Sequence, residues 1–151
     1  MRPAILAMAL TAVISLPAHA AMNAEDCNAA WTVADANKDG ILDDTEAARY
    51  AAALRVAEQP APQGSLDEAA FVEHCTAGYF DVTAPEAGAP FEGANSFTEG
   101  QAQDRVLAAG FTAVSALKQD DKGIWRGTAQ SQGKTVDVAV DFKGNVVASN
   151  M

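Results

Sequence analysis

The chain has 151 residues, and its 20 aspartates and glutamates outnumber its 10 lysines and arginines, which gives a formal net charge of −10 at pH 7. This excess of negative charge repels nucleic acids and anionic lipids, so it excludes both as general partners and favours cations and basic proteins. Beyond the first twenty residues, no apolar run in the sequence is long enough to cross a membrane.

Residues 1–20 have the features of a secretory signal peptide. Arg2 gives a short positive start, residues 5–16 form an apolar stretch too short to span a bilayer comfortably, and residues 18–20 (Ala-His-Ala) match a small-x-small cleavage site. We expect cleavage after Ala20, with an uncleaved N-terminal anchor as the alternative. Export predicts a periplasmic or secreted location, where disulfides form readily.

The two cysteines are predicted to form one disulfide bond. Cys27 lies on the first predicted helix and Cys75 on the last predicted helix of the N-terminal part. The bond would close a loop of about 48 residues, and the chain-entropy model gives it about 4 kcal/mol of stabilisation as an upper-end figure. Two buried free thiols are the alternative.

Residues 35–46 (DANKDGILDDTE) place oxygen-bearing groups at the spacing of a twelve-residue calcium loop. Gly40, at the sixth position, permits the backbone to reverse. Ordinary turn chemistry is the alternative, with Asp43 and Glu46 capping the next helix, but it accounts for only those two acids. The predicted metal ligands are Asp35, Asn37, Asp39, the backbone carbonyl of Ile41, Asp43 and Glu46.

Both flanks of this loop have helical spacing of apolar residues. The residues concerned are Cys27, Ala30, Trp31 and Ala34 before the loop, and Ala47, Tyr50, Ala51 and Leu54 after it. With this helix–loop–helix pattern, about residues 23–59 resemble the EF-hand family. The resemblance implies Ca²⁺ as the bound ion, and a single loop predicts a modest Kd of about 10⁻⁵ to 10⁻³ M.

Residues 59–70 resemble a degenerate partner loop. Gly64 would take the sixth position and Leu66 the eighth, where it would pair with Leu42, but the first, third, fifth and twelfth positions carry no carboxylate. We therefore expect an EF-hand domain over residues 21–80 in which the second hand supports the first without binding metal. A plain helix-turn-helix is the alternative.

Residues 81–95 are rich in alanine, proline, glycine and glutamate without periodicity, which predicts a linker. Two capping boxes are predicted to begin the helices on either side, Ser65 with Glu68 and Ser96 with Glu99. The expected strands after the second helix are 111–119, 124–130, 136–142 and 146–148.

The whole chain is thus predicted to be α+β, with an all-α EF-hand pair, a linker, and a C-terminal helix packed on a three- to four-stranded antiparallel meander. The strand 136–142 alternates with period two, which predicts that its valines pack on the helix. The same alternation predicts that Asp137 and Asp141 face water.

An ordered set of short motifs marks about residues 96–150. A capped helix is followed by Ala-Gly-Phe-Thr at 109–112, Asp-Asp-Lys-Gly-Ile-Trp at 120–125, Gly-Lys-Thr-Val-Asp-Val at 133–138 and a final Gly-Asn turn. In this order of features the segment resembles the PepSY family, so a PepSY-like α+β domain is expected over 96–151. The resemblance implies binding or inhibitory roles in exported proteins and in propeptides of secreted proteases, and it carries over no catalytic residues.

The sequence offers little for an enzyme. His74 is the only histidine after residue 20, which is too few for the usual zinc sites beside two paired cysteines. No nucleophile elbow or phosphate loop is present, and Asp120-Asp121 is explained better by a hairpin turn than by a second cation site. We expect a non-enzymatic calcium-binding protein with a protein-binding domain for an unknown exported partner. The alternative is an inhibitor or regulator of an exported protease with calcium as a structural ion.

Overall fold

The computed structural model describes residues 22–81, 85 and 88–149, so the predicted signal peptide, residues 1–20, lies outside the described part. Helices and two antiparallel sheets in this part confirm the α+β class, and none of its helices is both long and apolar enough to cross a membrane. In chain order the elements are α1 (Ala24–Ala34), β1 (Ile41–Leu42), α2 (Asp44–Val56), β2 (Leu66–Asp67), α3 (Glu68–Thr76), α4 (Glu99–Ala108), β3 (Lys118–Gln119), β4 (Trp125–Ser131), β5 (Lys134–Val140) and β6 (Val146–Ser149).

Helices α1 and α3 are joined by the predicted disulfide. Cys27 and Cys75 are bonded, with their Cα atoms 5.9 Å apart. Beside the bond, the ring of Phe71 meets Trp31 edge-on at a centroid distance of 5.4 Å and Tyr50 at 4.9 Å. Buried aromatic pairs in this geometry contribute more than their area alone. The N-terminal unit, residues 22–80, therefore has its own core, held by one covalent bond and a cluster of rings.

The short strands β1 and β2 pair antiparallel and confirm the predicted pairing of Leu42 with Leu66. Leu42 lies opposite Leu66, and both side chains are buried. The predicted cap at Ser65 is wrong, because the chain stays extended until Asp67, which takes the N-cap position of α3. The Oδ1 atom of Asp67 accepts a hydrogen bond from the Ala70 amide at 2.9 Å.

The C-terminal unit, residues 96–149, is a four-stranded antiparallel meander in the order β3-β4-β5-β6, with α4 on one face. The alternation along β5 buries Val136, Val138 and Val140 against Ala102 and Val106 of α4, as predicted. Each of these five side chains is almost completely buried, so the helix and the sheet share one continuous apolar core.

The start of α4 differs from the sequence prediction. The cap is Thr98, whose hydroxyl oxygen accepts from the Gln101 amide, while Gln101 Oε1 accepts from the Thr98 amide, so the predicted Ser96 box is wrong. Glu99 is then free to accept a hydrogen bond from the Leu117 amide at 3.0 Å.

The first predicted strand, 111–119, is also shorter than expected. Thr112 makes only an isolated bridge to Gln130, and a regular strand resumes at β3. The interruption falls at Ala113, whose φ of 47° takes the chain out of the extended region. The edge strand that pairs with β4, strand β3, is therefore only two residues long.

Asp141 is the clearest departure from the period-two prediction. It is fully buried, although it lies on the sheet face opposite α4. Its carboxylate accepts hydrogen bonds from the amides of Phe91, Lys143 and Asn145 and from the Asn145 side chain, at 2.9 to 3.2 Å. The alternation identified the correct face, but the segment around Phe91 covers that face at this point.

Part of the predicted linker lies against the C-terminal sheet. The Gly93 amide donates to the Lys122 carbonyl at 3.0 Å, and the Lys122 ammonium forms an ion pair with Glu92. The Gln119 side chain donates to the Asn95 carbonyl at 3.0 Å. Residues 91–95 are thus fixed to the β3–β4 hairpin and do not act as a free spacer.

Candidate metal centre

The loop begins at Asp35, the C-cap residue of α1, and ends in the first turn of α2. Asp35 is only 7% exposed. Its Oδ1 accepts a hydrogen bond from the Asp39 amide at 3.2 Å, and its Oδ2 accepts from the Gly40 amide at 3.1 Å. The Asp35 carboxylate therefore holds the middle of the loop close to the residue at which the loop begins.

The middle of the loop is held by further side chain to backbone bonds. Asn37 Oδ1 accepts from the Asp39 amide at 3.0 Å, and Asn37 Nδ2 donates to Asp39 Oδ2 at 3.0 Å. Asp39 Oδ1 in turn accepts from the Ile41 amide at 3.0 Å. Such bonds are typical of aspartate and asparagine in tight turns, and here they gather three predicted ligands within one turn.

Gly40 has a φ of 84°, in the left-handed region that a Cβ disfavours. A Cβ built at this position meets nothing within 4 Å, so only the backbone conformation opposes a side chain. We expect Gly40→Ala to lower the free energy of unfolding by about 1–2 kcal/mol. Urea unfolding measures this change in the free energy of unfolding. Gly100→Ala is the control, because α4 tolerates alanine at that position. Equal effects of the two changes would contradict a left-handed backbone requirement at Gly40.

Glu46 connects α2 to the start of the loop across ten residues. Its Oε1 accepts hydrogen bonds from the amides of Ala36 at 3.1 Å and Asn37 at 3.2 Å. Its Oε2 is buried and has no hydrogen-bond partner among the residues that the structure describes. A buried carboxylate oxygen without a partner is costly in free energy, and a bound cation would offset that cost.

The helix-capping alternative receives no support from Asp43 and Glu46. Asp43 is the N-cap residue of α2, but its side chain makes no capping hydrogen bond. Glu46 reaches back to residues 36 and 37 instead of to the amides of its own helix. Neither carboxylate is therefore used to cap α2, and both stay available at the end of the loop.

Across residues 22–81, 85 and 88–149, no three side chains of the His, Cys, Asp and Glu types are grouped so that they could hold a metal ion. The structure therefore does not bring together even three of the four predicted carboxylates, Asp35, Asp39, Asp43 and Glu46. Asp35, Asp39 and Glu46 instead use oxygens to accept hydrogen bonds from backbone amides of the loop. All six predicted donors are oxygens, which suit Ca²⁺ or Mg²⁺ and not a thiolate- or imidazole-binding metal.

Asp120 and Asp121, the other acidic pair considered, lie in a hairpin turn, as predicted. Asp120 accepts hydrogen bonds from Arg126 Nε at 2.7 Å and from the amides of Ile124 and Lys122 at 2.9 and 3.0 Å. The bond from Arg126, followed by the one from the Ile124 amide, lowers the pKa of the Asp120 carboxyl below its ordinary value. The Asp120 carboxylate already accepts hydrogen bonds from its own turn and from Arg126, so residues 35–46 are the better candidate for a cation site.

Helix α2, which carries Glu46, also packs on α4, a contact that was not predicted from the sequence. Both helices contain several alanines. Because small residues permit two helices to approach closely, this composition could have predicted the contact. Ala52 and Ala53 of α2 pack with Ala108 of α4, and all three are almost completely buried.

Comparisons of this chain with protein-family models, with curated proteins and with solved structures give no significant match. The candidate centre therefore rests on the residues of this chain and on their arrangement in residues 35–46.

Proposed function

We propose that residues 35–46 bind one Ca²⁺ ion and that this is the protein's principal function. The observation that carries the proposal is the buried Oε2 atom of Glu46, which faces no hydrogen-bond donor among the described residues. The ion would be held by the side chains of Asp35, Asn37, Asp39, Asp43 and Glu46 and by the carbonyl of Ile41. When bound, it would supply positive charge to four carboxylates and order the loop; the proposed role is non-enzymatic.

The organisation of the loop supports this proposal. Its amides already donate hydrogen bonds to Asp35, Asn37, Asp39 and Glu46, so part of the backbone ordering that binding requires is present before the ion binds. The disulfide bond joins α1 to α3, and the pairing of Leu42 with Leu66 joins the end of the loop to the strand before α3. A single competent loop with four carboxylates agrees with a Kd of about 10⁻⁵ to 10⁻³ M.

Thermal unfolding in the presence of calcium tests the proposal. At a calcium concentration one hundred times Kd, binding to the folded state adds about 2.7 kcal/mol to the free energy of unfolding. For a chain of 151 residues the expected rise in Tm is about 5–11 °C. Magnesium at the same concentration and ionic strength is expected to raise Tm less, because it demands strict octahedral geometry and gives up its water reluctantly.

Glu46→Gln removes the charge of the carboxylate whose Oε2 atom is buried and is expected to weaken calcium binding at least tenfold, which is about 1.4 kcal/mol. The matched control is Glu68→Gln, the same chemical change on an exposed residue at the start of α3. The control should keep the full calcium-dependent rise in Tm. Equal losses in both variants would indicate general charge screening and would contradict a site at residues 35–46.

For the C-terminal unit we propose a non-catalytic protein-binding role, with an exported protein of unknown identity as the partner. Two exposed aromatic side chains, Phe91 and Phe142, lie close to the ammonium of Lys143 and support this role. Exposed aromatic side chains are enriched at protein interfaces relative to the rest of the surface. Binding or inhibition of an exported protease stays a prediction of the sequence alone.

A further inference from the structure

The helix that carries Glu46 also forms the contact between the two units. Glu46 lies in the first turn of α2, and Arg49 lies one turn later on the same helix. The Arg49 Nε donates a hydrogen bond to the Ala108 carbonyl at the end of α4, at 3.4 Å. A carbonyl in the last turn of a helix lacks an intrahelical partner, so this bond helps to fix the end of α4 on α2.

Further along α2, the contact with α4 is both apolar and ionic. The alanines Ala52, Ala53 and Ala108 pack closely and exclude water. Beside them, Arg55 Nε donates to both carboxylate oxygens of Asp104 at 2.9 Å, and Arg55 Nη2 donates to one of them at 2.6 Å. Multiple charge-assisted bonds in a fixed geometry give the contact orientation as well as energy.

Helix α2 is the helix of the N-terminal unit that the disulfide does not restrain. The bond between Cys27 and Cys75 ties α1 to α3 and leaves α2 to be placed by noncovalent contacts. Those contacts are the Glu46 bonds to the loop, the packing of Ala47 and Tyr50 in the N-terminal core, and the packing on α4. A change in how strongly the loop holds Glu46 therefore acts on a helix that also contacts the C-terminal unit.

The ring of Phe80 provides a second connection. It packs against Tyr50 and Phe71 in the N-terminal core, with centroid distances of 5.0 Å to each, and it also packs against the alanine cluster between α2 and α4. The aromatic core beside the loop and the contact between the units are thus one continuous packed network, and packed networks transmit displacement.

We propose that calcium binding at residues 35–46 is coupled to the C-terminal unit through the seating of α2 on α4. This inference rests on the proposed function. Calcium would hold Glu46 and so fix α2 in the position that packs on Ala108 and pairs with Asp104. By linkage, tighter seating of α2 on α4 strengthens calcium binding by the same factor by which calcium strengthens the seating.

Hydrogen exchange of the full disulfide-bonded protein, measured with and without calcium, tests the coupling. Calcium is expected to slow exchange in the loop, residues 35–46, and also at least fivefold in the amides of α4, although α4 contains no proposed ligand. Slower exchange in the loop with unchanged exchange in α4 would overturn the coupling and leave the calcium site standing. No change in either segment would overturn the calcium site itself, and the coupling with it.

Variants on α4 provide the reciprocal test. Ala108→Leu overpacks the contact and is expected to lower calcium affinity about fivefold while removing the response of α4. Gly100→Ala is the matched control on the same helix, where an added Cβ meets nothing within 4 Å, and its affinity should stay within twofold. If Ala108→Leu fails to fold, Asp104→Asn removes only the ion pair to Arg55 and should weaken calcium binding about threefold, which is more than the range allowed for the control. Unchanged affinity in the variant that folds would overturn the coupling.

Discussion

Replacing Asp141 by alanine is expected to lower the free energy of unfolding by about 3–5 kcal/mol. The carboxylate is fully buried and accepts from the amides of Phe91, Lys143 and Asn145. Without it, three backbone amides lose their acceptor in a place where water replaces it poorly, and each such loss costs about 1–3 kcal/mol. Urea unfolding followed by circular dichroism measures the change.

Two further variants make the Asp141 prediction specific. Asp141→Asn keeps the size and one acceptor oxygen, so we expect about half of the loss seen with alanine. Asp121→Ala makes the same truncation at an exposed turn residue and should change stability by less than about 0.5 kcal/mol. A loss for Asp141→Ala as small as that for Asp121→Ala would mean that the carboxylate does not hold the segment around Phe91 on the sheet.

Removing the disulfide is expected to have an effect of similar size. Cys27→Ala with Cys75→Ala should lower the free energy of unfolding by up to about 4 kcal/mol, because the bond spans 48 residues and restricts the unfolded chain. Both sulfurs are buried beside Trp31 and Phe71, so part of any loss reflects packing. Urea unfolding of the oxidised protein and of the double variant gives the total.

Chemical reduction separates the two contributions. Reduced wild-type protein keeps both thiols in place, so its loss of stability measures the covalent link without the loss of side-chain atoms. The double variant should not respond to the reductant. If reduction costs the wild type less than about 1 kcal/mol, the bond between α1 and α3 does not restrain the N-terminal unit as argued above.

Features that depend on short stretches of sequence were predicted well. The helices around the loop follow from helical spacing, the disulfide from two cysteines in a chain with a predicted signal peptide, and the pairing of Leu42 with Leu66 from the resemblance of residues 59–70 to a partner loop. The structure contains all three. The candidate ligand set came from the spacing within residues 35–46. Helical periodicity and a turn glycine are informative because they reflect the conformation of the chain close to the residues themselves.

The predictions that failed depended on what covers or continues a segment. Ser65 and Ser96 match the capping pattern, but each helix begins two residues later, at the point where the chain stops being extended. The period-two pattern assigns Asp141 to the exposed face of the sheet. The pattern identifies a face but not the segment that crosses it, and here the segment around Phe91 covers Asp141. The contact of α2 with α4 joins helices that are far apart in sequence, and no local pattern specifies which helices meet.

Calorimetric titration of Ca²⁺ into the disulfide-bonded protein tests the central claim most directly. We predict one ion per chain with a Kd of about 10⁻⁵ to 10⁻³ M, bound by residues 35–46. A stoichiometry of one excludes an additional site at residues 59–70 and diffuse attraction by a chain of net charge −10, and loss of binding in Glu46→Gln locates the site. No heat, together with no rise in Tm up to about 10 mM calcium, ten times the weakest predicted Kd, would contradict the account and reduce residues 35–46 to a turn closed by its own hydrogen bonds.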